Sequence, residues 1–344
     1  MKSISVVIPS LDDMELFGRS LPALLAEVER RGLGDELWVV DDTGRGVLEE
    51  PLGRAYPQVR VLSNETNQGF ARALLAGVRA ASHELVLCLN PDVVVRPGSL
   101  DPLVGALEDA DVAAAVPRLL LDGVEQDIES DTSMVERKGV YSVVQPSLGE
   151  GTLEEDESTL PVAFAVGGAC LLRRAEFLER GGFDPLYEPF YWEDVDLGLA
   201  AWRGGRRVLL VRDSTFEHHH RGTIGKVVPR PLVRAAQERN RLLCQWKYLS
   251  GEAEWRAHVD ALVRWAVDAW LDDQREELEW LVLALSNLDQ VFEARAGLQG
   301  GADAPGLDAP GLDAPGLDAP GLGDLIARLE QARAAARAQD SDAG

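Results

Sequence analysis

Apolar residues in the first 120 positions follow two rhythms. Short runs rich in Val, Ile and Leu, interrupted only by Ser5 and Arg60, occur at 4–8, 37–40, 59–62 and 85–89, and stretches with apolar residues every three or four positions occupy 13–31 and 69–81. Apolar runs of four or five fit strands of a covered sheet, and the longer period fits the helices that cover it. The alternation predicts an α/β fold with a mostly parallel central sheet and flanking helices. From about residue 230 the period is helical throughout, over 232–249, 254–271 and 275–296, with Trp246, Trp255, Trp265, Trp270 and Trp280 in the apolar stripes. Aromatics at that spacing predict core and helix-pair contacts, with a membrane-surface or dimer role as the secondary reading. Residues 303–322 repeat DAPGL four times, and a proline and a glycine in every five residues suit neither helix nor ladder. The pattern predicts a sheet domain at 1–229, a helical extension at 230–297, a linker at 298–322, and a short Ala-rich helix (325–338) with a tail inside 323–344. Residues 122–160 show little periodicity and carry an acidic patch at 150–157.

Polar residues cluster where the predicted strands end. Pro9 and Ser10 follow the first, Asp41 and Asp42 the second, Asn64, Asn67, Gln68 and Gly69 the third, and Asn90, Pro91 and Asp92 the fourth. In a parallel sheet these positions open on one edge, where ligands bind. One such Asp is ordinarily a helix cap; four groups together predict a pocket. No G-x-G-x-x-G follows the first strand and no G-x-x-x-x-G-K-[ST] occurs, so a dinucleotide site and a P-loop are both excluded. Phosphates would then be held through a carboxylate-bound divalent cation, Mg²⁺ or Mn²⁺, whose shell phosphate oxygens complete.

A second constellation lies at 181–205. Phe190, Tyr191 and Trp192 are followed by Glu193, Asp194 and Asp196 and then by an apolar helical pattern. By themselves these acids cap a helix and suit the positive end of its dipole; beside aromatics they are candidates for proton transfer. His218, His219 and His220 follow an apparent strand at 214–217, and neutral imidazole is a competent metal ligand, although a histidine run in a surface loop reads as well. Arg173 and Arg174 either solvate a strand end or meet substrate, and Gly167 and Gly168 permit close approach of backbone to a ligand. Arg221, Arg239, Asn240 and Arg241 are candidate diphosphate partners.

Composition narrows the class. With 344 residues, 46% of them hydrophobic, the chain can bury a proper core, and a net charge of −24 sets it against nucleic acid and anionic membrane. Cys88, Cys170 and Cys244 show neither metal spacing nor an even disulfide set, which predicts buried thiols in a reducing compartment. The apolar run near the N-terminus is too short for a signal peptide, and none approaches the roughly 18–20 residues that span a bilayer. These features lead to the expectation of a cytoplasmic protein, with peripheral association at the inner face of the membrane left open.

The segments VVIPS (6–10), VVDD (39–42), NQGFARALLAG (67–77), LNPDV (89–93), GGACLLRR (167–174) and FYWEDVDL (190–197) occur in an order that resembles the family 2 glycosyltransferases of GT-A fold, over roughly 3–245. The flavour is that of the rhamnosyltransferase-like branch that builds bacterial surface polysaccharides. The resemblance implies an inverting enzyme that moves a sugar from a nucleotide-diphospho-sugar donor to a hydroxyl of a saccharide or lipid-linked acceptor. It implies that Pro9, Ser10, Asp41, Asn67, Gly69 and Gly168 line the nucleotide-sugar site, with Asp41 on the base and Asp42 on the ribose or capping its turn. Asn90-Pro91-Asp92 stands where the family has Asp-x-Asp, so Asp92 would take the cation with His218, and Asn90 a sugar hydroxyl. Asp194 would be the general base, with Trp192, Glu193 and Asp196 positioning it or holding the acceptor, and 122–160 would choose the acceptor, although its composition fits an ordinary flexible loop equally well. Two alternatives are a non-catalytic sugar-nucleotide binder and, less favoured, a sugar-phosphate nucleotidyltransferase, whose N-terminal Gly, Arg and Lys segment is missing.

Overall fold

The computed structural model describes residues 1–124, 129–145, 158–219, 228–298 and 320–341. Its centre is a nine-stranded mixed sheet. Strands β1 (Ile4–Ser10), β2 (Glu36–Asp41), β3 (Val59–Ser63) and β4 (Leu85–Leu89) lie in the order β3-β2-β1-β4, all parallel. Beyond β4 come β10 (Ala169–Arg173), antiparallel to both neighbours, then β6 (Val112–Leu121), β11 (Arg207–His218) and the short β5 (Val93–Val95), with β9 (Thr159–Pro161) also paired to β11. Six strands share one direction, and β5, β9 and β10 oppose them.

Every residue of β1 is buried, as its apolar run requires. Ile4, Val6 and Ile8 join a core closed by α1 (Met14–Arg31), α2 (Glu49–Ala55) and α4 (Leu100–Ala106), while Val7, on the opposite face, packs under α3 (Phe70–Ala80) and α5 (Arg174–Glu179). A third core lies beneath α6 (Glu193–Arg203). It joins Val195, Leu199 and Trp202 to α7 (Arg230–Tyr248) and to a hairpin of β7 (Ser133–Arg137) and β8 (Val140–Val144). Helices α8 (Glu252–Leu271), α9 (Arg275–Leu285) and α10 (Leu288–Gly297) stack outside α7.

Two expectations need correction here, and the last helix finds a place. The 122–160 region, which shows little periodicity in sequence, contains the hairpin, although its acidic patch lies outside the described residues except for Ser158–Leu160 around it. The tryptophan stripe divides: Trp246 and Trp280 are core, but Trp270 is 72% exposed. The last helix, α11 (Leu322–Ser341), packs on the chain itself, burying Leu322, Leu325 and Leu329, with Arg333 donating to Asp131 Oδ1 at 2.7 Å and to the Pro161 carbonyl at 2.8 Å.

Candidate active site

Strand direction brings the candidate residues together. The parallel strands β1, β2, β4 and β11 end at one edge, at Ser10, Asp41, Leu89 and His218, and the antiparallel β5 and β10 begin there, after Asp92 and Gly168. Asn90 N donates to Gly168 O at 2.8 Å, and a Cβ on Gly168 would lie 2.3 Å from Asn90 Nδ2, so only glycine lets β10 lie against that side chain. One residue earlier, Gly167 N donates to Asp194 Oδ2 at 3.2 Å. Asp194 and the Asn90–Asp92 turn thus meet on the two sides of one Gly-Gly step. The close approach that Gly167 and Gly168 permit is made to the protein's own Asp194 and Asn90.

Asp92 is 7% exposed, and its Oδ1 has no hydrogen-bond partner among the described residues; His218 Nε2 stands 3.5 Å away and His218 Nδ1 lies 2.5 Å from Glu129 Oε2. Burial works to depress the imidazole, but the carboxylates of Asp92 and Glu129 outweigh it and push it up to about 10. The pocket therefore calls for positive charge. A buried carboxylate oxygen with no hydrogen-bond partner among the described residues, 3.5 Å from an imidazole nitrogen that would have to give up its proton to ligate, fits a Mg²⁺ or Mn²⁺ ion that takes its remaining ligands from phosphate. Among the described residues no set of three His, Cys, Asp or Glu is placed to hold a metal by itself. His219 turns toward Glu217 and Asp122, and His220 and Arg221 lie outside the described residues.

The three acids of α6 have separate fates. Asp194 accepts from Gly167 N and, through Oδ1, from Val195 N at 2.8 Å; burial nevertheless raises its pKa. Glu193 Oε2 is buried without a partner among the described residues, and burial followed by the Asp194 charge pushes it up to about 8. Asp196 is wholly buried on Arg180, Lys247 Nζ (2.5 Å) and Tyr187 Oη (2.9 Å), and these partners hold its pKa down against burial. It cannot hold an acceptor; it anchors the helix.

The turn into α6 is unusual backbone. Tyr191 (φ 69°) and Trp192 (φ 79°) are both left-handed, a conformation that costs bulky residues on the order of 1–3 kcal/mol each. Asn240 on α7, fully buried, holds it: Nδ2 lies 2.7, 3.0 and 2.8 Å from the carbonyls of Tyr187, Phe190 and Tyr191. Arg239 donates to the Glu188 carbonyl, and Arg241 pairs with Glu238 at 2.7 Å. These three residues brace the loop and its helix, contrary to the expectation of diphosphate contacts, and sequence alone offers no sign of the bracing beyond a polar amide on a face that turns out to be buried. Arg173 and Arg174 likewise donate to backbone carbonyls, at Val112 and Leu107 and at Val78 and Arg79, and close strand ends.

At the nucleotide end the carboxylates are occupied by their own loops. Asp41 is fully buried and accepts from Thr43 N (3.0 Å), Thr43 Oγ1 (2.5 Å) and Leu48 N (2.8 Å), contacts that hold its own turn. Asp42 caps its neighbour loop, accepting from Asn64 Nδ2 (2.7 Å), Gln68 N (2.9 Å) and Gly69 N (2.8 Å). Ser10 Oγ donates to Asp13 at 2.8 Å beside the buried Pro9. Asn67 remains exposed, its Oδ1 3.0 Å from Gly69 N.

This architecture is the GT-A fold: the structure superposes on GalNAc-T7, crystallised with UDP, GalNAc and Mn²⁺, with a TM-score of 0.57 at 18% identity, covering 72% of this chain and 48% of that one. The chain belongs to glycosyl transferase family 2, whose sequence profile matches residues 5–180, just over half its length. Similar proteins include an N-acetylglucosaminyl-diphospho-decaprenol L-rhamnosyltransferase of Mycobacterium tuberculosis, 29% identical over 194 residues covering 50% of this chain and 62% of the relative. The pre-mycofactocin glycosyltransferase of the same organism is 27% identical over 224 residues (64% and 43%), and a probable N-acetylgalactosaminyltransferase 9 of Caenorhabditis elegans 26% over 217 residues (59% and 35%). The chain spans between 35% and 62% of the length of these relatives. No described helix is long and apolar enough to cross a membrane.

Proposed function

We propose that this glycosyltransferase is an inverting, divalent-cation-dependent enzyme that takes a nucleotide-diphospho-sugar, with a UDP-sugar as the first donor to try, and glycosylates a saccharide or lipid-linked saccharide, in keeping with surface polysaccharide synthesis. The observation that carries the reading is the junction at Gly167 and Gly168, where Asp194 on one side and the Asn90–Asp92 turn on the other converge. Asp92 and His218 would hold the cation, which when bound would offset charge developing on the departing diphosphate. Asn90 would orient a hydroxyl of the sugar or the ribose of the donor. Asp194, its basicity raised by burial, takes the proton of the acceptor hydroxyl as that oxygen bonds to the anomeric carbon and the bond to the diphosphate breaks. One displacement with base and leaving group on opposite sides inverts the centre. Glu193 and Trp192 shape the acceptor side.

The test is a thermal-stability panel of nucleotide sugars with and without Mn²⁺, followed by nucleoside diphosphate release on mixing with acceptors. At least one donor should raise the melting temperature only with the cation, as selective binding to the native state requires. Asp92→Ala should abolish that cation-dependent part. Stabilisation without nucleotide release from any donor would point to the non-catalytic binder; no stabilisation by any donor would defeat the proposal.

A further inference from the structure

We propose that the outer face of α8 is the surface through which two copies of this chain associate about a two-fold axis. Toward its own chain α8 buries only His258, Ala261 and Ala269. Its other side carries Val259, Val263 and Val267 at intervals of four, then Trp270 and Leu271, all between 50% and 73% exposed. Residues four apart on a helix are neighbours, so this is one apolar stripe over about three turns. Scattered exposed hydrophobics are ordinary, whereas a continuous run marks an interaction surface.

The charges beside the stripe identify what covers it. Glu252, Arg256, Asp260, Arg264 and Asp268 follow the same interval of four and alternate in sign, and Arg256 also pairs with Glu252 within the helix at 2.7 Å. Laid antiparallel on itself, the helix sets Arg256 opposite the second copy's Asp268, Asp260 opposite its Arg264, and Val263 near the axis facing its own counterpart. Laid parallel and in register, every charge would meet its like. The order therefore selects a two-fold axis perpendicular to the helix, an isologous contact in which each attraction occurs twice.

Sedimentation equilibrium of the full chain over a concentration series should show a species of twice 37.4 kDa. Val263→Asp, a change at a 58% exposed position that leaves the core intact, should weaken the dimer about thirtyfold or more, the size of a central contact. Arg264→Asp should weaken it by roughly several-fold, and adding Asp260→Arg to that variant should restore it, because the swap preserves the antiparallel pairs. Circular dichroism checks that each variant is folded. A chain monomeric at every concentration, a dimer indifferent to Val263→Asp, or a charge swap that fails to restore association would overturn the proposal. So would a monomer that co-sediments with phosphatidylcholine vesicles through Val263, since lipid would then be the occupant.

Discussion

Two carboxylate neighbourhoods share the first turn of α6, and burial alone does not separate them. Asp194 faces the Gly-Gly step and Glu193 precedes it in the chain, neither with a basic side chain as a hydrogen-bond partner among the described residues, and their pKa values rise. Asp196 is buried too, but Lys247, Arg180 and Tyr187 surround it and its pKa falls. Desolvation penalises every one of these charges, and only a partner reverses the sign. The contrast separates tasks: the acid with partners fixes the helix, and the acids without them retain the basicity that proton transfer uses.

The largest expected break in this comparison is Asp194→Asn. Removing the base while keeping the shape should lower transfer about 10²- to 10⁴-fold, with donor affinity nearly unchanged by calorimetry. Turnover near the wild-type rate would remove Asp194 from the mechanism. Next is Lys247→Met, which takes Nζ from Asp196 and Asp184 at 2.5 and 2.7 Å in a site where the lysine is 3% exposed. Breaking a buried pair from one side costs about 3–5 kcal/mol, readable by denaturant unfolding. The sign with pH is set by the lowered pKa of Asp196: its contribution is present above the unfolded carboxylate pKa and is lost as pH falls through the folded one. The acid-side decline in stability should therefore be shallower in Lys247→Met; an unchanged decline would show that Asp196 does not depend on the lysine.

Asn240→Ala is expected to act on both neighbourhoods at lower cost. It frees the carbonyls of Tyr187, Phe190 and Tyr191 and should cost about 1–3 kcal/mol of stability. Because the released turn carries Asp194, transfer should also fall by roughly ten- to a hundredfold through misplacement, with kcat affected more than KM. A loss of stability with kcat intact would make Asn240 a packing residue only.

The parts of the fold legible in sequence are those where one signal suffices. The runs at 4–8, 37–40, 59–62 and 85–89 match β1 to β4 because apolar residues dominate each of them, even at the edge strand β3, where Arg60 and Ser63 are exposed. Strand β6 is harder to read: VAAAVPRLLL is alanine-rich and contains Pro117, which has no N–H for the ladder, and the register of β11 shifts opposite it between Val211 and Thr215. The β7–β8 hairpin turns on Lys138 and Gly139, both at positive φ, a weaker turn signal than Asn-Gly. In the site, the residue types at the sheet edge were legible, but their partners were not. Nothing in VVDD says that Asp41 and Asp42 are spent on Leu48, Gln68 and Gly69, tens of atoms away along the chain. Nor does EDVD say that Asp196 meets a lysine from α7, because that encounter exists only once the third core has formed.

The smallest effect gives the sharpest reading of the pair itself. Burial is the main cause of the Glu193 shift and the Asp194 charge the second, so Asp194→Asn should lower Glu193 from about 8 while leaving it above the ordinary glutamate range. Carboxyl ¹³C shifts followed against pH report this directly, and an unmoved midpoint would show that the two acids do not interact. The same values fix a linkage. A carboxyl whose pKa is raised by folding costs stability at high pH, and that cost disappears as pH falls below the unfolded value. Glu193→Gln should therefore be more stable than the wild type above about pH 8, with the difference vanishing toward pH 4, the reverse of the trend expected from Asp196 three positions further along. If Glu193→Gln gave no gain at high pH, Glu193 would have a partner that satisfies its charge, and the division of labour along this turn would have to be redrawn.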